Sequence, residues 1–161
     1  MKPRWLPVPG RDIPAGFDTP HLRVRMLTIH DAVKDFDAVM SSRTELRGVF
    51  PGSDWPRDDL TLEQDLIDLA WHQKEFQIGG SYTYTVVSPD EARVLGCLYL
   101  FPPTQSGCEA DLIAWVRSDE QANGLEAHLW QHLTPWLRDV WGLSRLHRPG
   151  CRPDTWTAPA R

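Results

Sequence analysis

The sequence predicts an α+β domain with a mixed, mostly antiparallel central sheet and helices on both faces. Three runs rich in apolar, aromatic and β-branched residues are separated by short turns, and they predict successive strands at 81–88, 93–100 and 110–116. Before and after these runs, apolar residues recur at helical spacing, which predicts helices packed on the sheet. The predicted element order is β-α-α-β-β-β-α-β, and its last β-α-β unit should be a right-handed crossover between parallel strands.

The 161 residues are enough for one domain with a single core. Residues 1–20 contain five prolines, so we expect an extended arm there rather than a helix or regular sheet. The domain itself should span residues 21–148. We interpret the polar, proline-rich residues 149–161 as a C-terminal tail.

Composition argues against several classes of partner. A net charge of −5 without any run of Lys and Arg argues against nucleic acid. No segment has the apolar length that a bilayer span or a signal peptide requires, so we expect no membrane contact. The three cysteines have no metal-ligand spacing, and they indicate reduced thiols in a cytoplasmic protein.

The first half of the domain should contain a strand at 21–27 and two helices. Thr28 is a plausible N-cap for the first helix, and Thr61 with Gln64 forms a capping box at the start of the second. The second helix has a predicted core face and a second apolar stripe on its far side. The core face consists of Leu62, Leu66, Leu69, Ala70 and Phe76, and the stripe consists of Ile67, Trp71 and Ile78.

Between these helices, glycine and proline interrupt residues 41–59, which predicts a long loop. Loops of this length in compact domains are usually functional or mobile. Trp55 lies in this loop, and we consider it a candidate substrate wall or interface contact.

The most informative stretch runs from Glu109 to Leu129. It begins as a near-continuous apolar strand, turns polar, and from Gly124 onward shows the apolar spacing of a helix. A strand, a short loop and a helix start that carries a glycine form an anion-binding geometry. Free backbone N–H groups and the positive end of the helix dipole point at the same place, where phosphate is the usual occupant.

Within this turn, the run Gln121-Ala122-Asn123-Gly124-Leu125-Glu126 resembles the acyl-CoA-binding loop of the GNAT superfamily of N-acetyltransferases. That loop has Gln or Arg, two residues, Gly, one residue, and then Gly or Ala. Gln121 and Gly124 match it, whereas Glu126 stands where a small residue is expected. Together with the predicted element order, the resemblance covers residues 22–148.

The resemblance implies an acyl-CoA acyltransferase fold and acetyl-CoA as cosubstrate, with no metal. Backbone amides from Gln121 to Glu126 would hold the pyrophosphate, including those of Ala122, Asn123 and Leu125, and the pantetheine arm would run along Ala114 to Val116. An amine of a small molecule or peptide would enter across the loop 41–59, beside Trp55, and attack the thioester directly.

The resemblance also implies where catalytic groups lie. Several family members use a carboxylate of the motif strand as general base, so Asp111 and Glu109 are candidates; the alternative is a structural role. His147, at the predicted last strand, is a candidate proton donor near the thiol of CoA. His128 and His132 have a metal-compatible spacing, but no third ligand is evident, and we assign them to a solvated helix edge.

Two departures from the family pattern keep a second hypothesis open. Glu126 places a carboxylate where the diphosphate approaches, and few residues follow His147, so we expect an open sheet edge. A second subunit or the N-terminal arm would cover that edge, and we expect a homodimer. The alternative to an N-acetyltransferase is a catalytically impaired domain of the same fold that binds a ligand or another protein.

Overall fold

One seven-stranded sheet organises the chain, and its strands lie side by side in their order along the sequence. The computed structural model describes residues 4–149 together with the backbone of 155–157. All neighbouring strands are antiparallel except β5 and β6, which are parallel. The strands are β1 (Gly16–Asp18), β2 (Arg23–Met26), β3 (Tyr82–Val87), β4 (Val94–Phe101), β5 (Ala110–Val116), β6 (Arg145–His147) and β7 (Thr155–Thr157). The predicted α+β class with a mixed, mostly antiparallel sheet is confirmed.

Four α-helices accompany the sheet in the described ranges, and none has the length and apolarity that crossing a bilayer requires. They are α1 (Ala32–Ser41), α2 (Arg43–Leu46), α3 (Leu62–Ile78) and α4 (Leu125–Pro135). Both predicted N-caps form a capping box: Thr61 with Gln64 at the start of α3, and Thr28 with Asp31 at a 3-10 turn, Ile29–Asp31, that leads directly into α1. After α4 the chain continues as a π-helical turn, Trp136–Val140.

The sheet separates two apolar cores because successive side chains of a strand point to opposite faces. On one face, alternate residues of β3, β4 and β5 pack against Leu125, Leu129 and Leu133 of α4. On the other face, Cys97, Tyr99, Ile113 and Trp115 pack against α1 and the segment that follows it. Helices therefore cover both faces of the sheet.

Two edge strands were not among the predicted elements. Strand β1 lies within the predicted N-terminal arm and pairs with β2, from Gly16 opposite Arg25 to Asp18 opposite Arg23. Gly16 has a φ of +132°, and a β-carbon there would collide with the carbonyl oxygen of Val24, so this pairing depends on glycine. Strand β7 lies within the predicted tail and pairs with β6, so the expectation of an open edge beside β6 was wrong. Each has only three residues, too few for periodicity to reveal.

The packing of α3 is the largest departure from the predicted pattern. Leu62, Leu66 and Ala70, assigned to the core face, are exposed, and the assignment was wrong for them. The helix instead turns Asp65, Leu69 and Glu75 inward, which are 1%, 3% and 8% exposed. Most of its apolar side chains therefore face solvent, while part of its polar side faces the protein.

Candidate functional site

Strands β5 and β6 separate after a short contact, and this separation opens a cleft. Their parallel pairing consists of Ala110 opposite Leu146 and Asp111 opposite His147. From Leu112 onward, β5 keeps β4 on one side but has no ladder partner on the other within the described ranges. Because β5 is a strand, its N–H and C=O groups on that side are free to pair with an extended ligand. The cleft is lined by Gly48, Val49, Leu112, Ile113, Ala114, Arg148 and Pro149.

The cleft leads to the start of α4. A 3-10 helix, Ser118–Asn123, follows β5, and Gly124 then adopts a left-handed conformation with φ 70° and ψ 20°. No side chain caps α4, and the amides of Leu125, Glu126 and Ala127 have no hydrogen-bond partner in the described part of the chain. Three free N–H groups at the positive end of a helix favour an anion.

A second, wider depression lies over these amides, and Arg148 lines both it and the cleft. The Arg148 guanidinium lies 4.3 Å from the ring centroid of Trp130, a cation-π contact that leaves its N–H groups available. Glu126 also lines the depression. Its exposed side chain forms no hydrogen bond or ion pair with any described residue, so it does not cap the amides.

The other predicted loop residues occupy different positions around the turn. Gln121 lines the depression and donates to the carbonyl of Val116 at 3.4 Å, whereas Asn123 donates to Glu120 at 2.9 Å. Ala122 is exposed. The side chains of Leu125 and Val116 are buried in the core, 8% and 6% exposed, so only their backbone groups are available to a ligand.

A hydrogen-bonded cluster of Asp111, His147 and Thr104 stands where β5 and β6 part. His147 Nδ1 lies 2.9 Å from Asp111 Oδ1, and Thr104 donates to the same carboxylate from its amide at 3.1 Å and from Oγ1 at 2.6 Å. Asp111 is 3% exposed, and these hydrogen bonds satisfy its buried carboxylate oxygens. Nδ1 is engaged, which leaves Nε2 as the nitrogen open to a ligand.

Glu109 does not join this cluster. Its carboxylate accepts hydrogen bonds from the amides of Ser144 and Arg145 at 2.7 and 3.0 Å, and from the Ser144 hydroxyl at 3.2 Å. The side chain thereby fixes the start of β6 against β5. Of the two carboxylates near the motif strand, the structure places only Asp111 beside His147.

On the face of the sheet covered by α1, a separate cavity of about 350 Å³ lies between α1, α3, the loop after α2 and β4. Trp55, the predicted substrate wall, lines it and packs against Phe50 at 5.2 Å between ring centroids. The cavity and the cleft are neighbours, since Val49 lines the cleft and the next residue, Phe50, lines the cavity. Its aromatic lining consists of Phe50, Trp55, Trp71, Tyr99 and Phe101.

The same cavity contains two buried carboxyl groups. Burial raises the pKa of Asp65 to about 6, while burial and the neighbouring charge of Asp65 raise the pKa of Asp35 well above its ordinary value. The thiol of Cys97 donates to Asp35 at 3.6 Å. The carboxyl groups of Asp35 and Asp65 share a hydrogen bond, and the buried Asp65 Oδ2 accepts none from any amide, hydroxyl or cation of the described residues.

His72 closes the cavity beside these carboxyl groups. Its Nδ1 is 3.0 Å from the hydroxyl of Thr83, its ring contacts Tyr99, and burial lowers its pKa to about 4, so it is neutral at pH 7. No role for Asp35 or Asp65 was predicted from the sequence, although one signal for Asp65 was available. Asp65, Leu69 and His72 recur at intervals of four and three, which places them on one face of α3.

His128 and His132 interact locally on α4. His128 Nε2 lies 2.9 Å from the hydroxyl of Thr19, and His132 Nδ1 lies 3.0 Å from the carbonyl of His128. Across the described ranges, no three His, Cys, Asp or Glu side chains are grouped as metal ligands.

This fold, with its central sheet opened after the motif strand, is that of the GNAT-type acyl-CoA acyltransferases, and the predicted resemblance is confirmed at the level of fold. No protein-family model matches the chain, and no curated protein matches it.

Three solved structures illustrate the similarity of fold. The ribosomal-protein-S5-alanine acetyltransferase of Vibrio fischeri is 19% identical with a TM-score of 0.65, over 85% of this chain and 73% of that one. RimL, a ribosomal L7/L12 α-N-protein acetyltransferase solved with coenzyme A, is 17% identical with a TM-score of 0.62, over 84% and 72%. The microcin C7 self-immunity acetyltransferase MccE, solved with acetyl-CoA and AMP, is 11% identical with a TM-score of 0.63, over 84% and 73%.

Proposed function

We propose that this protein is an N-acetyltransferase that uses acetyl-CoA as cosubstrate. The observation that carries the proposal is the cleft between β5 and β6, which joins an unpaired strand edge to three free amides at the start of α4. An extended arm that ends in a diphosphate matches this succession of groups, and CoA has that form. Structures with this fold have been solved with coenzyme A and with acetyl-CoA.

The residues present fit such a ligand. The β5 edge from Leu112 to Ala114 would pair with the pantetheine arm, and the amides of Leu125, Glu126 and Ala127 would hold the diphosphate. Arg148 supplies a cation between the two regions. Glu126 opposes the anion, but its side chain is exposed and unpaired, so it is free to turn away.

Acetyl-CoA supplies an acyl thioester, and the chain's own residues would manage the protons. We assign the proton-transferring role to His147 and a positioning role to Asp111. Because the Asp111 carboxylate accepts from Nδ1, it fixes the ring orientation and directs Nε2 to the reacting groups. Thr104 holds the carboxylate in turn through two hydrogen bonds.

The acceptor we propose is an amine of a small molecule or a peptide. Solved structures of this fold include enzymes named for N-terminal acetylation of ribosomal proteins, and one named for immunity to microcin C7. The acceptor would approach past the loop that carries Trp55, which lines the cavity beside the cleft.

We further propose a cytoplasmic homodimer. The free thiols of Cys97 and Cys108 support a reducing compartment. The exposed apolar side chains of α3 support a subunit contact, since Ile67 and Trp71 are 61% and 47% exposed.

A titration with acetyl-CoA by calorimetry tests the proposal and its alternative. Saturable binding by the wild type, with release of CoA thiol when an amine is added, is the expected result. Binding only by a Glu126→Gly variant would instead favour the catalytically impaired domain. Absence of binding in both would overturn the proposal.

A further inference from the structure

The cavity beside the cleft has the chemistry of a cation site. Its lining includes the carboxyl groups of Asp35, Asp65 and Asp68, and none of its lining residues is Lys or Arg. His72, which also lines it, is neutral at pH 7. Its remaining walls are largely aromatic rings. Carboxylates behind aromatic faces attract organic cations, because both the negative charge and the ring quadrupoles favour a positive group.

Protein stability alone does not explain this arrangement. Helix α3 turns Asp65 inward at 1% exposed while it leaves Leu66 and Ile67 at 41% and 61% exposed. Burying a carboxyl group is costly unless its oxygens are paired. Asp65 shares a hydrogen bond with the carboxyl group of Asp35, itself buried, while its Oδ2 accepts none from an amide, hydroxyl or cation of the described residues. A ligand that donates a charged hydrogen bond would satisfy this oxygen.

We infer that the cavity binds an organic cation, an alkylammonium group with an apolar neighbour, and that Asp65 recognises the charge. The aromatic side chains around it exclude water and cover the apolar part of the ligand. It follows that the acceptor in the proposed reaction is a positively charged amine compound that is anchored next to the cleft. This assignment rests on the proposed function.

The position of the cavity agrees with that use. Phe101 lines the cavity and lies opposite Asp111 in the β4–β5 ladder, so the rim of the cavity is adjacent to the strand position that holds His147. Strand neighbours are only about 5 Å apart. A molecule anchored at Asp65 therefore extends toward the Asp111–His147 pair along one face of the sheet.

The experiment uses the full chain labelled with ¹⁵N and observes indole N–H signals by NMR. Trp55 and Trp71 line the cavity, whereas Trp130 lines the depression over the α4 amides, so the two sites report separately. The probes are butylammonium, 1-butanol as its neutral counterpart, and CoA. The variants are Asp65→Asn and, as a matched control, Glu63→Gln at an exposed position of the same helix.

We expect butylammonium to shift the Trp55 and Trp71 signals saturably, and 1-butanol to leave them in place. Asp65→Asn should weaken butylammonium binding at least about tenfold, as expected for loss of a charged hydrogen bond, while Glu63→Gln stays within about twofold. CoA should shift Trp130 in all three proteins.

The wild type provides a second measurement that needs no variant. Lowering the pH from 7.5 to 5 should weaken butylammonium binding several-fold, because Asp65, with a pKa of about 6, gains a proton while the probe stays charged. Asp35 and Asp68 share the cavity, and His72, with a pKa of about 4, stays mostly neutral over this range.

Equal binding of butylammonium and 1-butanol, or undiminished binding by Asp65→Asn, would overturn the cation site. If CoA still binds in that case, the acetyltransferase proposal stands. If butylammonium binds through Asp65 but CoA shifts nothing, the cation site is supported and the acetyltransferase proposal fails.

Discussion

The Nδ1 atom of His147 lies 2.9 Å from Oδ1 of Asp111, although the two residues are 36 positions apart in the sequence. They are direct partners in the parallel ladder of β5 and β6, at the last position before the strands part. The opening of the sheet and the orientation of the histidine therefore depend on the same pairing. If the cleft holds acetyl-CoA as we propose, this pair stands at its mouth.

The first prediction concerns this pair. His147→Ala should lower kcat for CoA release in the presence of an amine acceptor by about 100-fold or more, because the proton-transferring group is lost. Asp111→Asn should lower it about 10-fold or more, since the amide holds the ring less firmly. Thiol release after mixing with acetyl-CoA measures both.

The matched control for these variants is Glu109→Gln, at a carboxylate near the same strands that fixes the amides of Ser144 and Arg145. It should change kcat less than about twofold and lower the free energy of unfolding by on the order of 1 kcal/mol. A loss of kcat equal to that of Asp111→Asn would remove the distinction between the two carboxylates.

The second prediction concerns Glu126, whose exposed carboxylate lines the depression over the α4 amides. Glu126→Gln should tighten acetyl-CoA binding about threefold to tenfold, because it removes a like charge beside the diphosphate. The gain should shrink at high salt as the repulsion is screened. Calorimetry at two ionic strengths measures it, and unchanged affinity would show that the side chain turns away from the ligand.

The third prediction concerns the stability contribution of Asp65. Its pKa is about 6 in the folded protein, above the ordinary value of 3.8 that it has when the chain is unfolded, so the folded protein holds its proton more tightly. Stability therefore falls as the pH rises from about 4 to 6, and the full cost remains above that range. This raised pKa corresponds to a loss of stability of at most about 3 kcal/mol. Burial causes it, and the hydrogen bond with Asp35 reduces it.

Accordingly, Asp65→Asn should raise the free energy of unfolding at pH 7.5, and the difference from wild type should nearly vanish at pH 4. Urea denaturation at the two pH values measures this difference. If the variant is less stable than wild type at pH 7.5, the ionised carboxylate of Asp65 stabilises the folded protein and the prediction is wrong. Glu63→Gln, at an exposed position, should change little at either pH.

The fourth prediction concerns the proposed homodimer. Ile67→Glu places a charge within the exposed apolar side of α3 and should raise the dimer dissociation constant at least about tenfold, because the charge would be desolvated in the contact. Val140→Glu is the matched control, since Val140 is 48% exposed but lies beyond α4. Light scattering during size exclusion gives the masses, and a wild type that elutes as a monomer would exclude this contact.

Much of the fold was predictable because its signals are local. The strand predicted at 110–116 is Ala110–Val116 in the structure, and the two predicted N-caps, Thr28 and Thr61, cap the turn before α1 and the start of α3. The helix start at Gly124, with free amides in its first turn, likewise follows from one short stretch of sequence. Asp111 and His147 became separate candidates through the resemblance to the family, and their catalytic roles stay a prediction.

Other features were unpredictable because they arise from contacts between distant segments. Apolar spacing on α3 indicated a core face, but the periodicity does not say which side meets the sheet, and Leu62 and Leu66 face solvent. The short strands β1 and β7 exist only through pairing with their neighbours.

The sequence by itself determined the class of fold, the strands and helices of the core, and the turn between strand and helix at Gly124. Each rests on periodicity, capping or a glycine conformation, and these act over a few residues. Only the tertiary structure decided that His147 forms a hydrogen bond with Asp111 and that Glu109 binds the backbone at the start of β6. It also decided that Asp35 and Asp65 line one cavity with aromatic walls. Those relationships depend on strand register and on the rotation of α3 against the sheet, which are fixed when the whole core packs.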